Sequence, residues 1–291
     1  MLRDTLFRML LRLGNSRWWE GARRLMVGLV LSTSLVEDAY SAEYICSWWR
    51  EKLMFSIWSG QAGQPRTADF SGMDRERLHV ISILATDGTK LSGYLIRSLL
   101  SPPRGQLLVL QGNGHRASFL LRDLEKIADA GYDIRIYDFR GYATSGDSPR
   151  SLHAMIADYR HIVEAFIGAS TDRKFIYAMS FGAIIALNSL QGTEKVSKLI
   201  LDSVPDTVSS FGCPVEYDPI QRATLMQMPV TLMISGLDGV VRGDELEQLR
   251  KRAKSGFSWR LVELKNERHP FTPGIEQTVR MNALVEEILA P

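Results

Sequence analysis

From residue 77 onward the chain alternates between two hydrophobic periods. Residues 78–85 (LHVISILA) repeat at a period of two, as a half-buried strand does, and Asp87-Gly88 marks a hairpin turn into a returning strand at 91–96. Residues 106–110 (QLLVL) form a continuous apolar run of the kind covered on both faces. Helical spacing follows over about 118–130 and stops at Gly131. Further strands are predicted at 133–137, 175–178, 198–201, 230–235 and 258–264, with helices near 152–167, after residue 180, at 245–253 and at 274–289. One hairpin followed by repeated strand–helix units predicts the α/β class: a mostly parallel eight-stranded sheet with helices on both faces. In such sheets, reactive side chains gather beyond the carboxyl ends of the strands.

The first sixty residues follow no such alternation and read as a helical N-terminal extension, with 61–76 as a turn-rich linker into a main domain at 77–291. Leu2, Leu6, Met9, Leu10 and Leu13 share one helical face, with arginines elsewhere, as in a basic helix lying on a membrane surface. The apolar run 25–36 (LMVGLVLSTSLV) is shorter than the ~20 residues a spanning helix needs. With the arginines before it and Ala39-Tyr40-Ser41 after it, the run fits a signal peptide, an uncleaved anchor, or a helix packed on the main domain. Tyr40, Tyr44, Trp48 and Trp49 recur at helical spacing. Membrane surface contact through residues 1–58, with a membrane or envelope location, is the expectation this supports; a cytoplasmic location is the alternative.

Composition changes this picture little. The chain has 291 residues, 45% of them hydrophobic and 23% charged, with a formal net charge of +2, so it can fill a core and bulk charge calls for no nucleic acid. Cys46 and Cys213 are too few for a disulfide framework and read as free thiols. No metal-ligand spacing is present, and neither a metal nor an organic cofactor is expected.

The chemistry concentrates at Ala178-x-Ser180-x-Gly182, where a strand pattern breaks at one serine and resumes as a helix through small residues. That is the layout of a nucleophile elbow, usually G-x-S-x-G, with alanine in the first glycine slot. A serine hydroxyl needs a base to take its proton and an acid to orient that base. Asp238, in the turn leaving the 230–235 strand, and His269, in the loop after 258–264, follow Ser180 in the order such a triad requires. The backbone N–H of Phe181 is one expected oxyanion donor, and the glycine-rich loop Gln111-Gly112-Asn113-Gly114-His115-Arg116 offers a second at Asn113. His115 lies near this proposed site.

With these residues in place, residues 78–289 resemble the α/β-hydrolase superfamily, specifically its single-domain serine hydrolases with an N-terminal anchor-like segment and a minimal lid. Residues 107–114 (LLVLQGNG) look like the family's strand and oxyanion loop, and 137–149 (YDFRGYATSGDSP) is similar to its D-Y-R-G-x-G-x-S-x-G segment. Residues 174–186 match the elbow, while 199–203 and 231–238 look like the sixth and seventh core strands. The resemblance implies Ser180 as nucleophile, Asp238 as acid and His269 as base, acting on a small-molecule or acylated ester or thioester. Departures are Gln111 where the family usually has histidine, Ala178, and Glu267-Arg268 before the histidine; Asp202 is a fallback acid. The short insertion 203–229 holds Pro205, Gly212, Pro214 and Pro219 and has no room for a large helical lid. The same residues also fit a non-catalytic scaffold whose N-terminus binds a partner, or an acyltransferase or peptidase.

Overall fold

The computed structural model describes residues 44–146, 150–170, 172–192, 194–255 and 258–290. The amphipathic face at 2–13 and the apolar run at 25–36 lie outside the described residues. Strands β1 (Leu78–Leu84) and β2 (Lys90–Ile96) pair antiparallel, turning at Gly88, whose φ of 83° suits a residue without Cβ. The other strands are β3 (Gly105–Leu110), β4 (Tyr132–Tyr137), β5 (Lys174–Met179), β6 (Lys198–Asp202), β7 (Val230–Ser235) and β8 (Trp259–Leu264). They form one eight-stranded sheet in the order β1-β2-β4-β3-β5-β6-β7-β8. β2 pairs antiparallel with β4, and the pairings from β4 through β8 are parallel. After β3 the chain goes to β4 on one side and returns to β5 on the other, so the strand order reverses between β3 and β5. A crevice opens at the carboxyl ends of the strands at such a point.

The period of two sorts each buried strand between two cores. In β3, Leu108 and Leu110 join one cluster with residues of α3 (Leu152–Gly168), α4 (Phe181–Ser189) and α6 (Glu247–Ser255). Leu107 and Val109 join the other, with α2 (Ala117–Asp129) and α7 (Thr278–Leu289). Two boundaries differ from expectation. A 3-10 turn at Gly243–Glu245 precedes α6, and α7 begins at Thr278 because Gly274 adopts φ 78° and turns the chain first. Between β6 and β7 lie two 3-10 turns, Ser209–Phe211 and Val215–Tyr217, and the short α5 (Pro219–Ala223).

Helix α1 (Trp48–Ala62) belongs to the same compact unit as the sheet, Glu43–Pro291. Its inward residues Glu51, Met54, Phe55, Trp58 and Ala62 follow helical spacing. Glu51 is fully buried and accepts from the backbone N–H of Cys46 at 2.6 Å and of Leu152, the first residue of α3, at 2.7 Å. Burial pushes its carboxyl pKa upward despite these bonds. Among the described residues no helix is long and apolar enough to cross a membrane.

The expectation of free thiols is wrong: Cys46 and Cys213 form a disulfide across 167 residues of sequence. Two cysteines so far apart carry no local spacing signal; only docking of α1 against the segment after β6 makes them neighbours. Cross-linking a loop of this length restricts the unfolded chain, so reductant is expected to destabilise the protein by about 2–5 kcal/mol, read as a lower urea midpoint.

Candidate active site

Ser180 sits between β5 and α4 with φ 51° and ψ −121°, an uncommon conformation for a residue with Cβ. Its N–H donates to the Asp202 carbonyl at 2.8 Å, tying the turn to the end of β6. A Cβ on Gly182 would meet the Leu110 and Gln111 carbonyl oxygens at 2.5 Å, so the helix can leave the turn only through glycine. Ala178 is fully buried within β5, and its methyl is accommodated there.

The loop after β3 lies against this turn. A Cβ on Gly112 would come 3.6 Å from the Ser180 Cβ and 3.4 Å from His115 Nδ1. Asn113 Oδ1 accepts from the Gly114 N–H at 3.0 Å and from the Tyr142 hydroxyl at 2.7 Å, which braces the loop from the segment after β4. Phe181 follows Ser180 at the first turn of α4, where backbone N–H groups have no partner within the helix. Asp138, at the end of β4, accepts from the Ala117 N–H at 2.6 Å and so fixes the start of α2; burial pushes its pKa up to about 7.

Asp238 follows β7 and His269 follows β8. His269 Nδ1 lies 2.9 and 3.1 Å from the two Asp238 carboxylate oxygens. Asp238 Oδ1 also accepts from the N–H groups of Val240 and Val241. Burial raises the Asp238 pKa, but the His269 hydrogen bond and these N–H groups outweigh it and hold the carboxyl below its ordinary value. Ser180, Asn113, His115 and His269 line one cavity of about 770 Å3. No hydrogen bond joins Ser180 to His269 among the described contacts; such bonds are often loose until substrate is bound. His115 stacks on Phe119 at a ring separation of 5.5 Å, and burial, with His269 and Arg116 nearby, lowers its pKa to about 4. It is therefore neutral at neutral pH.

Asp202 is not available as an alternative acid. It is fully buried and engaged by Arg280 at 2.5 Å and by the Tyr177 hydroxyl at 2.7 Å. Arg280 is the residue that sequence reasoning missed. From α7 it also donates to Ser235 Oγ at 2.8 Å and to the Arg268 carbonyl at 2.6 Å, one residue before His269. The bulky approach to His269 is thus held through its backbone. Gln111 is fully buried, and neither atom of its amide has a partner. Replacing a buried unpaired polar group with an apolar one of similar shape removes its desolvation cost. Gln111→Met is expected to stabilise the protein by ~1–3 kcal/mol in urea unfolding.

A mixed sheet with a parallel core, a strained serine after β5, and an acid–histidine pair after β7 and β8 together identify the architecture. The chain has the α/β-hydrolase fold. A family model described as "Serine aminopeptidase, S33" matches residues 101–204, which include the 111–116 loop and Ser180. The esterase Pf2001 of Pyrococcus furiosus is 19% identical at a TM-score of 0.61, covering 77% of this chain and 97% of that one. The α/β hydrolase GrgF from Penicillium sp. sh18 is 14% identical at a TM-score of 0.56, covering 72% and 96%. The monoacylglycerol lipase of Paleococcus ferrophilus is 14% identical at a TM-score of 0.54, covering 68% and 98%. Among the curated proteins no relative matches. Helix α1, like β1, β2, β7 and β8, lies outside the segment that the family model matches.

Proposed function

We propose that the chain is a serine hydrolase that cleaves an ester or thioester through an acyl-enzyme. The observation that carries this reading is the single cavity that Ser180, held at a strained strand–helix turn, shares with His269, itself hydrogen-bonded to Asp238. His269 Nε2 takes the proton as Ser180 Oγ attacks the carbonyl carbon. Asp238, acceptor at Nδ1, fixes the tautomer and stabilises the imidazolium that forms. The backbone N–H groups of Asn113 and Phe181 receive the developing oxyanion. His269 then protonates the leaving group, and water attacks the acyl-Ser180 carbonyl by the reverse route. An esterase and a monoacylglycerol lipase among the similar structures favour an ester over a peptide.

The test is covalent labelling by a fluorophosphonate probe, together with turnover of p-nitrophenyl esters. Wild-type protein is expected to do both. Folded protein that does neither overturns the reading and leaves a non-catalytic scaffold.

A further inference from the structure

The cavity beside Ser180 has one wall from outside the sheet and its crossover helices. Met54 and Trp58 of α1 line it, with Phe181 and Ile184 of α4 and with Val208 and Phe211 of the segment after β6. Phe181 directly follows the nucleophile. Its ring lies 5.6 Å from that of Phe55 and 6.1 Å from that of Trp58. The apolar surface therefore starts at the reacting serine and runs onto α1 without interruption.

Three contacts fix this wall. The Cys46–Cys213 disulfide joins the residues before α1 to the segment after β6. Arg50 donates to the Phe211 carbonyl at 2.9 Å, and the buried Glu51 accepts from Leu152 at the start of α3. These hold the start of α1, and Arg116, donating to the Ala62 carbonyl at 2.8 Å, holds its other end; the space of about 770 Å3 falls within the usual range of small-molecule sites.

The reaction geometry decides which half of a substrate meets it. The leaving group departs toward His269, which must protonate it. The acyl group stays on Ser180, on the side of Phe181 and α4. None of the six wall residues named above carries a charge, and the charged residues elsewhere in the lining, Asp206, Asp244 and Glu245, are acidic and lie off α1 and α4, so an anionic acyl chain on this wall would be buried unpaired, whereas an apolar one gains by burial. We infer that α1 is the acyl wall of the site, that the preferred substrates carry apolar acyl chains, and that Trp58 sets the chain length accepted. This rests on the hydrolase reading above.

The experiment uses the full chain with p-nitrophenyl esters from acetate to laurate, beside Trp58→Ala and Met54→Trp, each checked for fold and for fluorophosphonate labelling. Wild-type kcat/KM is expected to rise about four-fold per added methylene to an optimum and then fall. Trp58→Ala deepens the pocket and should raise the laurate-to-octanoate ratio about fifteen-fold, the worth of roughly two methylenes. Met54→Trp fills the pocket and should move the optimum to shorter chains. A labelled, folded variant whose optimum stays put or moves the opposite way overturns the inference, as does a wild-type optimum at acetate. A series of n-alkyl acetates is run in parallel, and a length optimum there instead of in the acyl series overturns the assignment to the acyl group. Wild-type protein that neither labels nor turns over takes down both readings; labelling with a flat acyl series takes down this one alone.

Discussion

Ser180→Ala is expected to remove fluorophosphonate labelling completely and to lower kcat/KM on p-nitrophenyl esters by roughly ten-thousand- to million-fold. The size follows from what the substitution leaves behind. Without Oγ no acyl-enzyme forms, and the remaining rate is water attack assisted by oxyanion donors and binding. The variant should fold, because the strained φ of 51° costs alanine no more than serine and the Ser180 hydroxyl has no hydrogen-bond partner among the described contacts. Asp238→Asn makes the informative contrast. It keeps the shape of the side chain that meets His269 Nδ1 and the Val240 and Val241 N–H groups. It can also present an amide N–H to Nδ1, which favours the wrong tautomer, so a loss of about 10,000-fold in kcat is expected. Labelling should then be slow but present. Labelling that survives in Ser180→Ala places the nucleophile elsewhere and sinks the assignment.

The parts of this molecule that sequence makes legible are those written in local pattern. Strands β3, β5, β6 and β7 are short apolar runs, and β1 alternates. A run of β-formers broken by one serine between small residues has few other structures to adopt. Ser180, Asp238 and His269 fall at strand ends, so locating the strands locates them. What sequence hides is settled by pairs distant in the chain. Cys46 and Cys213 meet only because α1 docks beside the segment after β6. Trp58 reads as one aromatic in a helical stretch, and nothing nearby shows that it faces the cavity. Tyr142 braces Asn113 across 29 positions. Asp202, at the end of β6, has the same local look as a strand-end acid, and only its partner Arg280, 78 positions away, shows that it is engaged. Gln111 and Ala178 look like defects when set against a motif. In the fold Ala178 is ordinary core, while Gln111 keeps an unmet polar group.

Arg280→Met is expected to cost about 3–5 kcal/mol of stability, the usual penalty for breaking a buried ion pair from one side. Both partners are fully shielded from solvent, and burial in itself opposes the guanidinium charge. Asp202 and its neighbours outweigh that and raise the Arg280 pKa further above its ordinary value. With methionine in its place, Asp202 keeps only the hydroxyls of Tyr177 and Ser203, neither of which neutralises a carboxylate. Adding Asp202→Asn removes the stranded charge, so the double variant should recover most of the loss in urea unfolding; additive losses would show that the two residues are not coupled. Activity should behave differently. Arg280 also holds the Arg268 carbonyl and Ser235, and so fixes the backbone one residue before His269. Asparagine at 202 cannot replace those bonds. The double variant is therefore expected to regain stability while its kcat stays at least about ten-fold below wild type, the cost of roughly 1.4 kcal/mol in the barrier. Recovery of kcat together with stability would reduce Arg280 to a structural residue, with no part in placing the histidine loop.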